Sequence, residues 1–138
     1  MNEKINLGLA VDTPHGLYVP VLQDIGNRDD ASLREQINRY KTQAQERSIP
    51  QEDLKGATIM LSNFGAIAGL YATPIIVPPM VAIIGIGKSR QQVVPANDQP
   101  AIHKVMPLSL TVDHRIITGG QTARFLKTLK IALESAAD

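Results

Sequence analysis

Hydrophobic positions cluster in two runs near the start of the chain, "INLGLAVDT" (5–13) and "GLYVPVLQD" (16–24). A Pro-His-Gly turn separates them, which predicts a hairpin or two neighbouring strands. The pattern then changes. Leu33, Ile37, Tyr40 and Ala44 recur at helical spacing within residues 29–47, while Arg34, Arg39, Lys41 and Gln45 fall on other faces. This predicts an amphipathic helix, with Ser32 and Glu35 at capping-box spacing near its start. Residues 48–56 predict a Pro-initiated single turn that stops at Gly56. Beyond it, 57–70 predicts a strand running into a small-residue loop, and 80–88 a buried strand. Residues 91–113 predict a short strand, a turn at Asn97-Asp98 and a long strand. A second helix follows, with Ala123, Leu126, Leu129 and Leu133 as its apolar stripe and Thr118 and Gln121 at capping-box spacing. The order strands, helix, strands, helix predicts an α/β layered domain, with helices on a largely β-sheet.

Composition narrows the classes. The 138 residues, 43% hydrophobic, suffice for one domain with a buried core. With no cysteine, disulfides, thiolate nucleophiles and cysteine-held metals are excluded. A net charge of +1 and 4% aromatic residues supply neither the basic stripe nor the stacking platform that a nucleic-acid partner needs. The most apolar stretch, residues 74–87, is shorter than a membrane span of about 20 residues and is interrupted by Pro78 and Pro79. "MNEKINLGLAVDT" has no long apolar segment after its charged start, so no signal peptide is expected. These features predict a soluble protein of a reducing compartment, without membrane or nucleic-acid partners.

Two places can hold chemistry. In "LSLTVDHRIITGG" (108–120), a strand ends at Asp113-His114-Arg115, and Gly119 and Gly120 follow where the last helix begins. An imidazole held there can act as a general base, because its ordinary pKa of about 6.5 lies near working pH. The glycines leave room beside it. The plainer alternative is that Asp113 and Arg115 are strand-end charges and His114 fills a loop. In "TIMLSNFG" (58–65), a strand carries Ser62 and Asn63 to a turn, where a hydroxyl can donate to a developing oxyanion. Here the alternative is a polar strand terminus. No G-x-S-x-G elbow surrounds Ser62, so a serine hydrolase is unsupported. "GIGKS" (85–89) lacks P-loop spacing. His15 lies in a turn and His103 on the long strand, and the three histidines have no ligand-type spacing, so no metal is expected.

In combination these segments are specific. "LSLTVDHRIITGGQTARFL" (108–126) resembles the D-H-R-x-x-D-G signature of dihydrolipoamide acyltransferases, the core acyltransferase components of 2-oxo acid dehydrogenase complexes. "INLGLAVDTPHGLYVPVLQD", "DLKGATIMLSNFG" and "TPIIVPPMVAIIGIGKS" resemble the same family in the same order, so the likeness runs across essentially the whole chain.

The resemblance implies the fold of chloramphenicol acetyltransferase, a two-layer α/β sandwich of mixed sheet and helices. It implies trimers that assemble into large hollow cores, with the active site between subunits. It also implies acyl transfer between coenzyme A and a dihydrolipoyl group presented in trans by a lipoyl domain, with no metal. The implied partners are those lipoyl domains and the other components of the complex. The implied location is the cytoplasm, or the mitochondrial matrix in a eukaryote. His114 matches the family's base and Ser62 its oxyanion donor. The position four after the histidine, usually Asp or Asn, is Thr118, which completes the candidate catalytic set. Val77 and Met80 stand where the family often has polar residues. The expected extent is the C-terminal portion of the catalytic domain. Its N-terminal part, the lipoyl domain and the peripheral-subunit-binding domain are expected to lie outside these residues. A structural core subunit or fragment without turnover stays open, favoured by Thr118. So does an acetyltransferase for a hydroxylated antibiotic, disfavoured by Asp rather than His before His114.

Overall fold

In the computed structural model, which describes residues 4–136, each of the first two apolar runs breaks into two short strands. The first gives β1 (Leu7–Leu9) and β2 (Val11–Thr13), and the second β3 (Gly16–Tyr18) and β4 (Val21–Leu22). β2 and β3 form the expected antiparallel hairpin. β1 instead pairs antiparallel with β4 and parallel with a later strand, so the break at Ala10 lets one arm join the main sheet. Residues 1–3 of the charged opening and 137–138 of the closing helical run lie outside the described residues.

Helix α1 (Asp30–Glu46) follows. Its N-cap is Asp29 rather than the Ser32 expected from spacing. Asp29 has extended backbone, and its carboxylate accepts from the Ser32 amide at 2.7 Å. A carboxylate at the positive end of the helix is a stronger cap than a hydroxyl in the first turn. The Ser32 hydroxyl is left to accept from the Arg28 guanidinium at 2.6 Å. The predicted apolar face is correct: Tyr40 and Ala44 are fully buried, while Arg34, Arg39, Lys41 and Gln45 are exposed. The Tyr40 hydroxyl donates to the Val21 carbonyl at 3.1 Å and accepts from Gln36 Nε2 at 2.7 Å, which ties α1 to β4. The expected single turn is a 3-10 turn, Gln51–Leu54, ended by Gly56 at φ 84.

The main sheet adds β5 (Ile59–Asn63), β6 (Ala82–Ile86) and β9 (Leu108–Val112), in the order β4-β1-β5-β6-β9. β1, β5 and β6 run parallel, and β9 is antiparallel to β6. β6 has neighbours on both edges, and Ala82, Ile83 and Ile84 are in the core, which explains its unbroken apolar run. That strand is narrower than the expected 80–88. Upstream of it, Ile75 is 85% exposed and Val77 58% exposed. Pro74, Pro78 and Pro79 have no amide hydrogen to offer a ladder, so the chain there stays outside the sheet and turns at Pro78-Pro79.

The expected short and long strands over 91–113 are instead an even ribbon and a separate strand. β7 (Arg90–Ala96) pairs with β8 (Gln99–Val105) about Asn97 and Asp98, both left-handed at φ 51 and 59, and β9 then begins afresh. Met106 and Pro107 interrupt the run, and the Pro107 carbonyl turns aside to accept from the Gly87 amide at 2.9 Å. Helix α2 (Gly119–Ser135) closes the described chain. The class is as read, a mixed sheet with helices. The α2 stripe is not covered, however: Leu126 and Leu129 are half-buried, and Ala123 and Leu133 are exposed. Within the described residues, α2 packs on β9 and leaves the rest of its stripe open.

The Tyr40–Val21 link predicts that Tyr40→Phe, which strands a buried carbonyl, lowers unfolding free energy by about 1–2 kcal/mol in urea titration.

Candidate active site

Ser62 lies on β5, one residue before the strand ends. It is half-buried, and among the described residues its hydroxyl makes no hydrogen bond within the chain, so it is free to donate to a ligand. The backbone beyond it is closed by glycines. The position of a Gly65 β-carbon would be 2.3 Å from the Gly87 carbonyl, and that of a Gly87 β-carbon 2.1 Å from the Leu70 oxygen, so neither site admits any other residue. Gly65 N donates to Ile86 O at 3.0 Å and Lys88 N to Gly69 O at 2.8 Å, stitching the loop after β5 to the end of β6. Across the sheet Ser62 pairs with Gly85, and Gly85 with Ser109. The Ser109 hydroxyl accepts from the Ala72 amide at 3.2 Å and holds the same loop from the far side.

His114 follows β9 on an exposed turn. Asp113 binds that turn together. Its amide donates to Val81 O at 2.8 Å, and its carbonyl accepts from Ile116 and Ile117 at 3.0 and 2.9 Å. Its carboxylate accepts from the Arg115 amide at 3.0 Å and from the Arg115 guanidinium at 2.9 and 2.6 Å. These bonds from Arg115 hold the Asp113 carboxyl down at about 2. The His114 ring lies beside the start of α2, where a β-carbon on Gly119 would stand 3.9 Å from Nε2.

Thr118 is the N-cap of α2 and forms a complete capping box. Its hydroxyl accepts from the Gln121 amide at 3.3 Å and donates to Gln121 Oε1 at 3.0 Å, while Oε1 accepts from the Thr118 amide at 2.8 Å. The hydroxyl therefore has its partners inside the helix. His15 is exposed and bonded to the Arg47 guanidinium through Nδ1, and His103 is exposed on β8; neither approaches the other candidates through a described contact. Among the described residues no group of three or more His, Asp or Glu is placed to hold a metal ion.

One protomer does not bring Ser62 and His114 together. Val112 pairs with Ala82 and Ala82 with Ile59, whereas Ser62 is three rows along β5 from Ile59. Three steps of about 3.3 Å separate those rows. His114 lies past Val112 on the other side, because β9 runs against β5 and β6. The two groups occupy opposite ends of one sheet. Sequence reasoning missed the brace between Asp113 and Arg115, for which opposite charges flanking a strand-end histidine were the available signal. It also missed the Gly65–Gly87 contact, where glycines just past two strand ends were the clue.

Two measurements check the histidine end. The Asp113 brace is intact above the free carboxyl value of 3.8 and is lost as pH falls toward about 2. The Asp113 carboxyl signal in NMR should therefore titrate near 2 and move up toward 3.8 in Arg115→Ala. Thr118→Ala should lower stability by about 1 kcal/mol, read as an earlier thermal transition.

With the geometry placed, similarity to known proteins adds a family. The profile described as 2-oxoacid dehydrogenases acyltransferase (catalytic domain) matches residues 1–138. The acetyltransferase component of the pyruvate dehydrogenase complex of Mycoplasma pneumoniae is 33% identical over 138 residues, covering 100% of this chain and 34% of that protein. A solved Azotobacter vinelandii dihydrolipoamide acetyltransferase superposes with a TM-score of 0.88 at 34% identity, covering 93% of this chain and 53% of that one. The cubic core of a pyruvate dehydrogenase multienzyme complex gives 0.87 at 34%, covering 91% and 52%. The chain thus spans about a third of that curated relative and about half of each solved chain. Across its whole length, the chain belongs to the family of 2-oxoacid dehydrogenase acyltransferases, in the catalytic domain.

Proposed function

We propose that the chain carries the reacting groups of an acyltransferase that moves an acyl group between the thiols of dihydrolipoamide and coenzyme A. His114 of one copy takes the proton of the attacking thiol. The thiolate adds to the thioester carbonyl, and the oxyanion accepts a hydrogen bond from Ser62 of a neighbouring copy. When the intermediate collapses, the departing thiolate recovers the proton from the imidazolium. Neither an acyl-enzyme nor a metal is required, because donor and acceptor are both sulfur.

The observation that carries this reading is the spacing of the candidate residues. The Azotobacter structure concerns the role of a serine, a histidine and an asparagine in the catalytic mechanism of that acetyltransferase, at separations of 52 and 4 residues. Ser62, His114 and Thr118 stand at the same separations. Their positions at opposite sheet ends support a site shared between copies, and the cubic core formed by a relative supports trimers building a larger assembly. Under this reading the lipoyl group arrives on a separate lipoyl domain, and the other complex components are the remaining partners. The chain then represents the C-terminal portion of the catalytic domain, working in the cytoplasm or the mitochondrial matrix. No described helix is long and apolar enough to cross a membrane.

Thr118 favours a second reading, a core subunit without turnover, because it stands at the asparagine's position with its hydroxyl already bound to Gln121. Thiol exchange between acetyl-coenzyme A and dihydrolipoamide separates the two. Under the catalytic reading His114→Ala lowers the rate by about 10²–10⁴-fold, and Ser62→Ala by about 10²-fold. A His114→Ala protein as fast as the unaltered chain, or an unaltered chain with no exchange in its assembled form, contradicts it.

A further inference from the structure

Among the described residues, His114 makes no hydrogen bond of its own, through backbone or ring. Yet it stands in a turn whose other members are fully engaged. Asp113 accepts five N–H contacts, two on its carbonyl and three on its carboxylate, and its amide anchors to the Val81 carbonyl just before β6. The carboxylate side chain is only 14% exposed, whereas its partner Arg115 is 83% exposed. A charge-assisted fork between residues two apart closes the chain directly over the intervening residue. The imidazole stands on the Gly119 side of that turn, where a β-carbon, if glycine carried one, would lie 3.9 Å from Nε2.

We propose that Asp113, gripped by Arg115, is a positioning residue that sets where the His114 imidazole stands at the start of α2. This rests on the reading of His114 as the base. Asp113 itself touches no reacting atom. It acts by fixing the backbone on both sides of the histidine, and a base displaced by about 1 Å can lose about 10²-fold in rate.

Three substitutions in the full chain test the assignment: Asp113→Ala, Asp113→Asn and Arg115→Ala. Arg115→Ala removes a side chain that is almost wholly in solvent, so it leaves the fold intact. Thiol exchange should show kcat falling about 10- to 100-fold in Asp113→Ala. It should fall less in Asp113→Asn, which still accepts from the Arg115 amide, with KM in both held within about twofold. Independently of activity, NMR follows the rings of the three histidines, with the His114 signal identified by its loss in His114→Gln. In Asp113→Ala and Arg115→Ala the His114 signal should move toward that of the exposed His103, while His15 and His103 stay put. An unmoved His114 signal in both variants overturns the proposal, as does an unchanged kcat in Asp113→Ala. If the unaltered chain shows no exchange, the acyltransfer reading fails by itself. The NMR result still decides whether Asp113 positions the ring.

Discussion

Strand direction is the constraint on which the rest of this protein depends. β5 and β6 run the same way and β9 runs against them, locked by a register that pairs Ser62 with Gly85 and Val112 with Ala82. A residue leaving the end of β5 and a residue leaving the end of β9 must therefore emerge at opposite ends of the sheet. Ser62 and His114 are those residues. No loop rearrangement within one protomer reverses this, because side-chain periodicity and five ladder pairs fix β9 against β6. Acyl transfer that needs both groups must use two copies of the chain.

Each end is built to hold its candidate group still. At the serine end, two glycines let three backbone segments touch where any β-carbon would collide, and Ser109 closes the loop across the sheet. At the histidine end, a carboxylate and a guanidinium do the equivalent work, and a capping box fixes the first turn of the next helix. Preorganised supports of this kind allow an exposed imidazole or hydroxyl to keep one position without being buried. The rest of α2 is less constrained, for its apolar stripe finds little cover among the described residues. An apolar helical face left open in this way fits a protein that completes itself by association.

Much of this was legible in the residues, for identifiable reasons. The period of Leu33, Ile37, Tyr40 and Ala44 located α1, because burial of one helical face leaves that signature directly in the sequence. Asn97-Asp98 marked the ribbon turn, since few residues tolerate two successive left-handed conformations. The apolar run over 74–87 yields a strand only in its second half, because three prolines in the first deny the ladder its amides. Spacing also misplaced the α1 cap, for Asp29 competes better than Ser32 for the same orphan amides. The motifs named Ser62 and His114 but did not locate them relative to one another within the chain. Their separation follows from a crossover and an antiparallel return that no local pattern encodes.

The central claim is that the reacting histidine and serine come from different copies. Mixing His114→Ala with Ser62→Ala protein, after dissociating and reassembling both, tests it most directly. Shared sites predict that two inactive proteins together recover about a quarter of the unaltered rate, since one interface in four then combines an intact histidine with an intact serine. A mixture as inactive as its components, though shown to have co-assembled, would mean that each site draws both residues from one chain.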